Sequence, residues 1–312
     1  MDDILEIMAT DLSLSKAALK STILSTKRKY RKFSIKKASG GKRIIHQPSV
    51  ELKPILYWIQ INILDKLPVH KNSAAFKKGN SILNNASFHQ ESLYSIRVDI
   101  DNFFHSIKPL DLINTIKKNQ KLLPVWTKDS GMFDLVTLSC FISKSYLPIG
   151  YLTSPQIANA VMFDIDSMLD EEFSNEGKYG IAKISRYADD FIFSTNKKGA
   201  CKAALEEFKR IFEKSENPRL GINKNKTTYM SRPGGSSKVT GLRINNQGNI
   251  IVHACYRDHV RLLLKLYKEN RLKEEGGKEK LVGHLAHIQN VDPGLFTKLC
   301  LKYSSEINEL RK

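Results

Sequence analysis

Asp99, Asp189 and Asp190 are the residues in this chain whose type and setting could do chemistry together. Asp99 sits in "YSIRVDIDNFF" (94–104), and the other two are adjacent in "ISRYADDFIFST" (184–195). Both stretches have the β-branched and aromatic content of buried strands, so the carboxylates converge if the strands are neighbours in one sheet. Converged carboxylates resist joint ionisation. Divalent cations relieve that repulsion. Two hard ions, Mg²⁺ by preference, held roughly 4 Å apart by oxygen ligands can activate an attacking 3′-hydroxyl and stabilise a leaving pyrophosphate. An adjacent pair of aspartates alone has a plainer reading, a solvated turn, and context must decide between the two.

The elements that position these residues follow from the pattern of the chain. Residues 1–31 read as helical and run into the basic stretch "TKRKYRK". "FSIKKASGGKRIIHQPS" (33–49) alternates about a Ser-Gly-Gly turn, as a basic β-hairpin would. "LKPILYWIQINILDKL" (52–67) is apolar at helical spacing and reads as core. Residues 94–107 read as a buried strand running into an aromatic pair, and 110–145 as helical. "LPIGYLTSPQIANAVMFDIDSMLDEEF" (147–173) reads as a loop opening a long helix. A helix over 198–215, short strands from 220 to about 252 and a helical tail from Tyr256, punctuated by Gly276 and Gly277, complete the chain. Strands alternating with helices without the rhythm of a doubly wound sheet argue an α+β fold.

Charge narrows the partner. Among 312 residues, 50 Lys and Arg stand against 32 Asp and Glu, a net charge of +18 that attracts phosphate backbones. No apolar run approaches bilayer-spanning length, so no membrane partner is expected. Cys140, Cys201, Cys255 and Cys300 lie far apart without a CxxC pair, which suggests neither a zinc site nor a disulfide framework and fits a reducing cytoplasm. The acidic start "MDDILEIMATDLSLSKAALK" is unlike a signal peptide, and a cytoplasmic location is expected.

"VDIDNFF", "LPIGYLTSP", "YADD" between hydrophobic strands and "GINKNKTTYM", in that order, resemble the palm motifs of reverse transcriptases. The resemblance covers roughly residues 33–270 and includes "KKASGGKRIIHQPSVELK", which looks like the fingers segment of the bacterial enzymes. Asn85, Ala86 and His89 in "NNASFH" match an NAxxH pattern, and Val239, Thr240 and Gly241 a VTG pattern, both of which mark retron reverse transcriptases.

That resemblance implies a right-hand polymerase fold, with fingers and palm over 1–250 and a short, basic helical thumb over 251–312. It implies that Asp99 and Asp189, helped by the Ile100 carbonyl, bind two Mg²⁺ ions, with Asp190 completing the acidic cluster. Phe104 matches the steric gate that excludes a 2′-hydroxyl, whereas Phe103 reads equally well as core. Lys37 and Arg43 match residues that grip the dNTP triphosphate, a task for a point charge and a forked guanidinium. Lys226 matches a lysine that protonates the leaving pyrophosphate. Asn85, His89, Val239, Thr240 and Gly241 are expected to position the cognate RNA. Arg257, Arg261, Lys265 and Arg271 supply affinity, the first three at four-residue steps along one helical face.

Two positions depart from the pattern: Ile149 stands where many relatives have glutamine, and Asn102 where aspartate is common. The implied activity is RNA-directed DNA synthesis on a structured noncoding RNA, primed from a guanosine 2′-hydroxyl and yielding branched RNA–DNA (msDNA). An accessory effector protein and an anti-phage role accompany that reading. A group II intron or diversity-generating reverse transcriptase, and a catalytically idle RNA-binding scaffold, are the alternatives.

Overall fold

The computed structural model describes residues 2–25, 29–36 and 40–311. The segment read as one helix over 1–31 is two, α1 (Asp2–Leu12) and α2 (Lys16–Leu24), and Tyr30 already begins a strand. Ser13 turns to φ 52° between the helices, and the Ser15 side chain accepts from the Ala18 N–H to cap α2. Such a cap satisfies an otherwise orphaned N–H, which favours restarting a helix over running through. β1 (Tyr30–Lys36) and β2 (Lys42–Pro48) form the antiparallel hairpin read from sequence. Lys37, which follows β1 in the chain, lies outside the described residues. After the hairpin in the chain, α3 (Leu52–Asn62) buries Leu52, Ile55, Leu56, Trp58 and Ile59.

The centre of the molecule is a seven-stranded antiparallel sheet. β3 (Tyr94–Asp99) lies between β5 (Asp190–Thr195) and β6 (Thr228–Ser231), and β4 (Ala182–Tyr187) flanks β5 at one edge. β7 (Ser236–Val239), β8 (Leu242–Asn245) and β9 (Ile250–Ile251) extend the sheet beyond β6. Alternation along each strand sorts its side chains to two faces. Ile96, Val98, Phe191 and Phe193 share one face, and helices cover it. α9 (Phe163–Phe173) brings Phe173 to 4.6 Å from Phe193, and α11 (Ala200–Lys214) brings Phe208 to 5.3 Å from Phe191, centroid to centroid. The registers put Arg97, Asp99, Asp190 and Ser194 together on the opposite face.

Two long helical readings break into shorter elements. Residues 110–145 divide into α6 (Pro109–Lys118) and α7 (Ser130–Cys140), with short 3-10 turns between them around Pro124, whose ring cannot continue a helix. The stretch 147–173 divides at Met162 into α8 (Ser154–Val161) and α9. Single turns α5 (Phe103–Ser106) and α10 (Glu176–Tyr179) complete the central region.

The tail forms α12 (Ala254–Lys268), α13 (Gly277–Val291), α14 (Pro293–Lys302) and α15 (Ser304–Leu310). Their buried Leu264, Leu281, Ile288 and Leu295 join Val239, Leu242 and Ile244 of the sheet and Ala86 of α4 (Ile82–Phe88) in a second core. Among the described residues no helix is long and apolar enough to cross a membrane. The architecture is the α+β arrangement expected: a hairpin in the fingers position, a sheet for the palm and a helical thumb.

Candidate active site

The register of β3 and β5 sets Asp99 directly opposite Asp190, and directly opposed residues project from the same face of a sheet. Asp189 precedes Asp190 in the two-residue connection from β4, where Tyr187 pairs with Asp190. Ala188, its first residue, has φ 58°, a strained value for a residue with a Cβ. The Ile100 N–H donates to the Asp189 carbonyl at 2.9 Å, locking that turn to the end of β3. From the other side, the Asn223 N–H donates to the Asp99 carbonyl at 2.9 Å and the Asp101 N–H to the Gly221 carbonyl at 2.8 Å.

Cations occupy this floor. Lys226 Nζ lies 3.0 and 3.1 Å from the carboxylate oxygens of Asp99, which is 2% exposed. Arg97, two residues before Asp99 on the same face, donates from Nε and Nη2 to Asp190 at 2.7–2.9 Å and stands 3.8 Å from Asp99. Burial raises Asp189, and the like charge of Asp99 adds to it, while Lys226 and Arg43 pull the other way. Asp190 is raised to about 6, again chiefly by burial and against the pull of Arg97.

Among the described residues no group of three or more His, Cys, Asp or Glu side chains stands close enough to hold a metal ion. The donor chemistry nevertheless fits a hard divalent cation. Asp99 and Asp189 offer carboxylate oxygens, and a cation would offset both the burial that raises Asp189 and the smaller repulsion from Asp99. Asp190, expected to complete the acidic cluster, has its carboxylate forked by Arg97.

Around the floor, Phe103 is buried in the core and Phe104 is half-buried, their rings 5.4 Å apart and inclined at 64°. Asn102 takes a left-handed conformation, φ 48° and ψ 36°, before α5, one that asparagine tolerates better than most residues. Arg43 is exposed on β2 opposite Ile35. The loop before α8 is fastened to the same strand, with the His46 N–H donating to the Ile149 carbonyl at 2.8 Å. The backbone of Ile149 makes that bond, so it needs no glutamine side chain. A Cβ on Gly150 (φ 115°) would lie 2.7 Å from the His46 carbonyl oxygen, which explains the glycine.

The two segments that marked the retron pattern meet each other. Thr240 and Gly241, with φ of 46° and 86°, form the two-residue connection between β7 and β8, and both positive values suit a type I′ turn. Thr240 Oγ1 donates to the Ile82 carbonyl at 3.0 Å, tying that turn to α4. Val239, Ala86, Asn85 and His89 are all buried. His89 contacts Ser194 Oγ through Nδ1 at 2.6 Å and Ser185 Oγ through Nε2 at 2.8 Å. Through the Thr240 hydroxyl and the His89 ring, these segments fasten α4 to the sheet. The thumb cations, exposed except for the half-buried Arg257, are partnered. Arg257 and Arg261 share Asp258 at 3.0 and 3.4 Å, and Lys265 and Arg271 share Glu269 at 3.9 and 2.9 Å. Arg271 lies beyond the end of α12.

Burial pushes the His89 ring down to about 3, with the charge of Lys183 adding to the effect. An unfolded histidine takes up its proton near 6.5. The stability gained by keeping this ring neutral is therefore fully present above pH 6.5 and is lost progressively as pH falls toward 3. In urea denaturation at a series of pH values, His89→Gln is expected to flatten the acid side of the stability curve. An unchanged slope assigns the acid sensitivity to other groups.

Sequence reasoning missed Arg97 and Arg186. Arg186 is fully buried, with Nε and Nη2 donating to Asp166 at 2.8 and 2.7 Å and Nη1 to the Ala188 carbonyl at 3.2 Å, so it holds the strained turn before Asp189. The period of two would have found Arg97, since residues two apart on a strand share a face.

A family model described as reverse transcriptase (RNA-dependent DNA polymerase) matches residues 35–267. The retron Ec73 reverse transcriptase of Escherichia coli is 40% identical over 280 residues, spanning 89% of this chain and 88% of that protein. The retron Ec86 reverse transcriptase of Escherichia coli is 30% identical over 245 residues, 77% and 71% of the two chains. Among solved structures, apo telomerase from Candida tropicalis superposes with a TM-score of 0.50 at 14% identity, covering 91% of this chain and 59% of that one, a likeness of fold alone.

Proposed function

Because the chain belongs to the reverse transcriptase family, among its retron-type members, we propose that this RNA-directed DNA polymerase copies a structured noncoding RNA of its own retron, priming from a guanosine 2′-hydroxyl to give msDNA. The observation that carries the retron reading is the joint between α4 and the Thr240–Gly241 turn, where the two retron-type segments meet beside the carboxylate-bearing sheet. Fingers and palm extend to residue 250 in this reading, and the thumb follows from 251. An accessory effector held by the ribonucleoprotein, in defence against phage, completes it.

Asp99 and Asp189, with the Ile100 carbonyl, would hold two Mg²⁺ ions, which supply charge neutralisation at the attacking hydroxyl and the leaving pyrophosphate. Asp190 stays forked by Arg97 and steadies the turn that carries Asp189. Lys226, paired with Asp99 at 3.0 Å, would give a proton to the pyrophosphate once that carboxylate takes another partner. Lys37 and Arg43 grip the triphosphate. Arg257, Arg261, Lys265 and Arg271 exchange their exposed carboxylate partners for RNA phosphates, a modest cost because exposed ion pairs contribute little.

The test is the product. DNA from cells carrying the protein and the neighbouring noncoding RNA is treated with RNase and with a debranching enzyme, and a mobility shift after each is expected. DNA with no branched RNA attached would assign the chain to general or intron-type reverse transcription instead. On sugar choice, Phe104→Ala is expected to raise the ratio of rNTP to dNTP incorporation by about 10- to 100-fold, because the ring excludes a hydroxyl by bulk. An unchanged ratio returns Phe104 to a packing role.

A further inference from the structure

A polar recess of about 140 Å³ opens beside α4 at the outer edge of the sheet, and none of the three aspartates lines it. Its walls include Asn72, Asn80, Ser81, Asn84, Asn85 and Ser185. A second hollow of about 330 Å³ shares Lys71, Asn72 and Phe88 with it and follows β4. Most of the polar wall is internally committed. Asn72 Nδ2 donates to Asp170 at 2.7 Å, Ser81 Oγ to Asn84 Oδ1 at 2.9 Å, and the His89 ring holds Ser185 Oγ. Asn85 is the exception: it is 4% exposed, and its Nδ2 has no hydrogen-bond partner among the described residues. Buried amide donors are almost always paired, so an orphan in a recess wall calls for an acceptor from outside.

The rim says what kind of acceptor. Phe88, which lines both hollows, is 44% exposed, unusual for an aromatic ring in water. Lysines accompany it: Lys77 and Lys78 are exposed nearby in the chain, Lys71 pairs with Asp170 at 2.9 Å, and the half-buried Lys183, 3.5 Å from Glu91, has its Nζ 5.6 Å from the Phe88 ring centroid. An amide edge for hydrogen bonding, an aromatic face and cations for phosphates are together the chemistry that reads a base in single-stranded RNA. A duplex keeps its bases stacked and paired, and a protein segment would want an apolar wall here.

We propose that this recess takes one unpaired nucleobase of an RNA strand, with Asn85 Nδ2 donating to an acceptor on its edge and Phe88 against its face. The proposal rests on the reading of the chain as an RNA-copying enzyme only for the identity of the strand. It gives the buried retron-type segment a route to RNA: His89 holds the wall and the neighbouring side chains meet the base.

The full-length protein is titrated with fluorescent RNA homopolymers of about ten nucleotides (A, C or U), in roughly 0.3 M salt to weaken phosphate contacts. Wild type is expected to bind one homopolymer about tenfold more tightly than the others, and Phe88→Ala to lose about tenfold on that one. Asn85→Asp, which keeps the shape and removes the donor, is expected to erase the preference. If that variant does not fold, the exposed Phe88 position decides alone, supported by the site of ultraviolet crosslinking of a 4-thiouridine oligonucleotide, expected on the peptide carrying Phe88. Equal affinity for all homopolymers, or Phe88→Ala binding as wild type does, overturns the recess, and Asn85 is then satisfied by water. Wild-type extension of an annealed primer is measured alongside. Extension without base preference rejects the recess and leaves the polymerase reading standing, whereas absence of extension rejects the latter.

Discussion

Asp189→Asn is expected to abolish DNA synthesis on an annealed primer, with a loss on the order of a thousandfold or more, while affinity for structured RNA changes little. The Asp189 carboxylate lies close enough to Asp99 to feel its charge, and it lacks the guanidinium fork that holds Asp190. Metal-based charge stabilisation is worth several kcal/mol, and each ~1.4 kcal/mol is about tenfold in rate. Affinity draws on many phosphate contacts spread over a chain of net charge +18, and one substitution hardly alters it. Single-turnover extension and filter binding, run on the same preparation, read the two quantities. Near wild-type extension by the variant would remove Asp189 from the metal site.

The second large effect is on stability. Arg186→Met is expected to cost about 3–5 kcal/mol, because it leaves the Asp166 carboxylate buried without its partner. The loss should be largely recovered in Arg186→Met combined with Asp166→Leu, since replacing both members of a buried pair by apolar groups is often neutral. The double variant still lacks the bond to the Ala188 carbonyl, so its extension rate should stay low after its stability returns. Urea denaturation and primer extension of Arg186→Met, Asp166→Leu and the double variant separate the two roles. A double variant as unstable as the single ones would show that packing, not charge, makes Arg186 necessary.

The carboxylates, the hairpin and the strands that bear the site were legible because each rests on a local pattern: alternation about a turn, or a charged pair between hydrophobic strands. Arg97 and Arg186 were not, for a physical reason. Each is one cation among fifty, and only the register of β3 and the packing of α9 against β4 show that one forks Asp190 and the other is wholly buried. The burial of His89 and Asn85 was not legible either. Polar residues in a motif suggest a surface, yet both lie in the interior, where Ser185 and Ser194 make the histidine's burial tolerable. Helix interruptions at Ser13 and Met162 were invisible because neither position carries the Pro or Gly that usually signals a break.

The bond from Thr240 to Ile82 links positions 158 residues apart in the chain. Recombination treats such a pair as separable, whereas the fold does not. A chimaera that takes the first hundred residues from one relative and the remainder from another brings together an α4 and a β7–β8 turn that have never had to fit. Crossover points for building hybrid enzymes are therefore better placed before α4 or after β8, so that helix and turn are inherited from one parent.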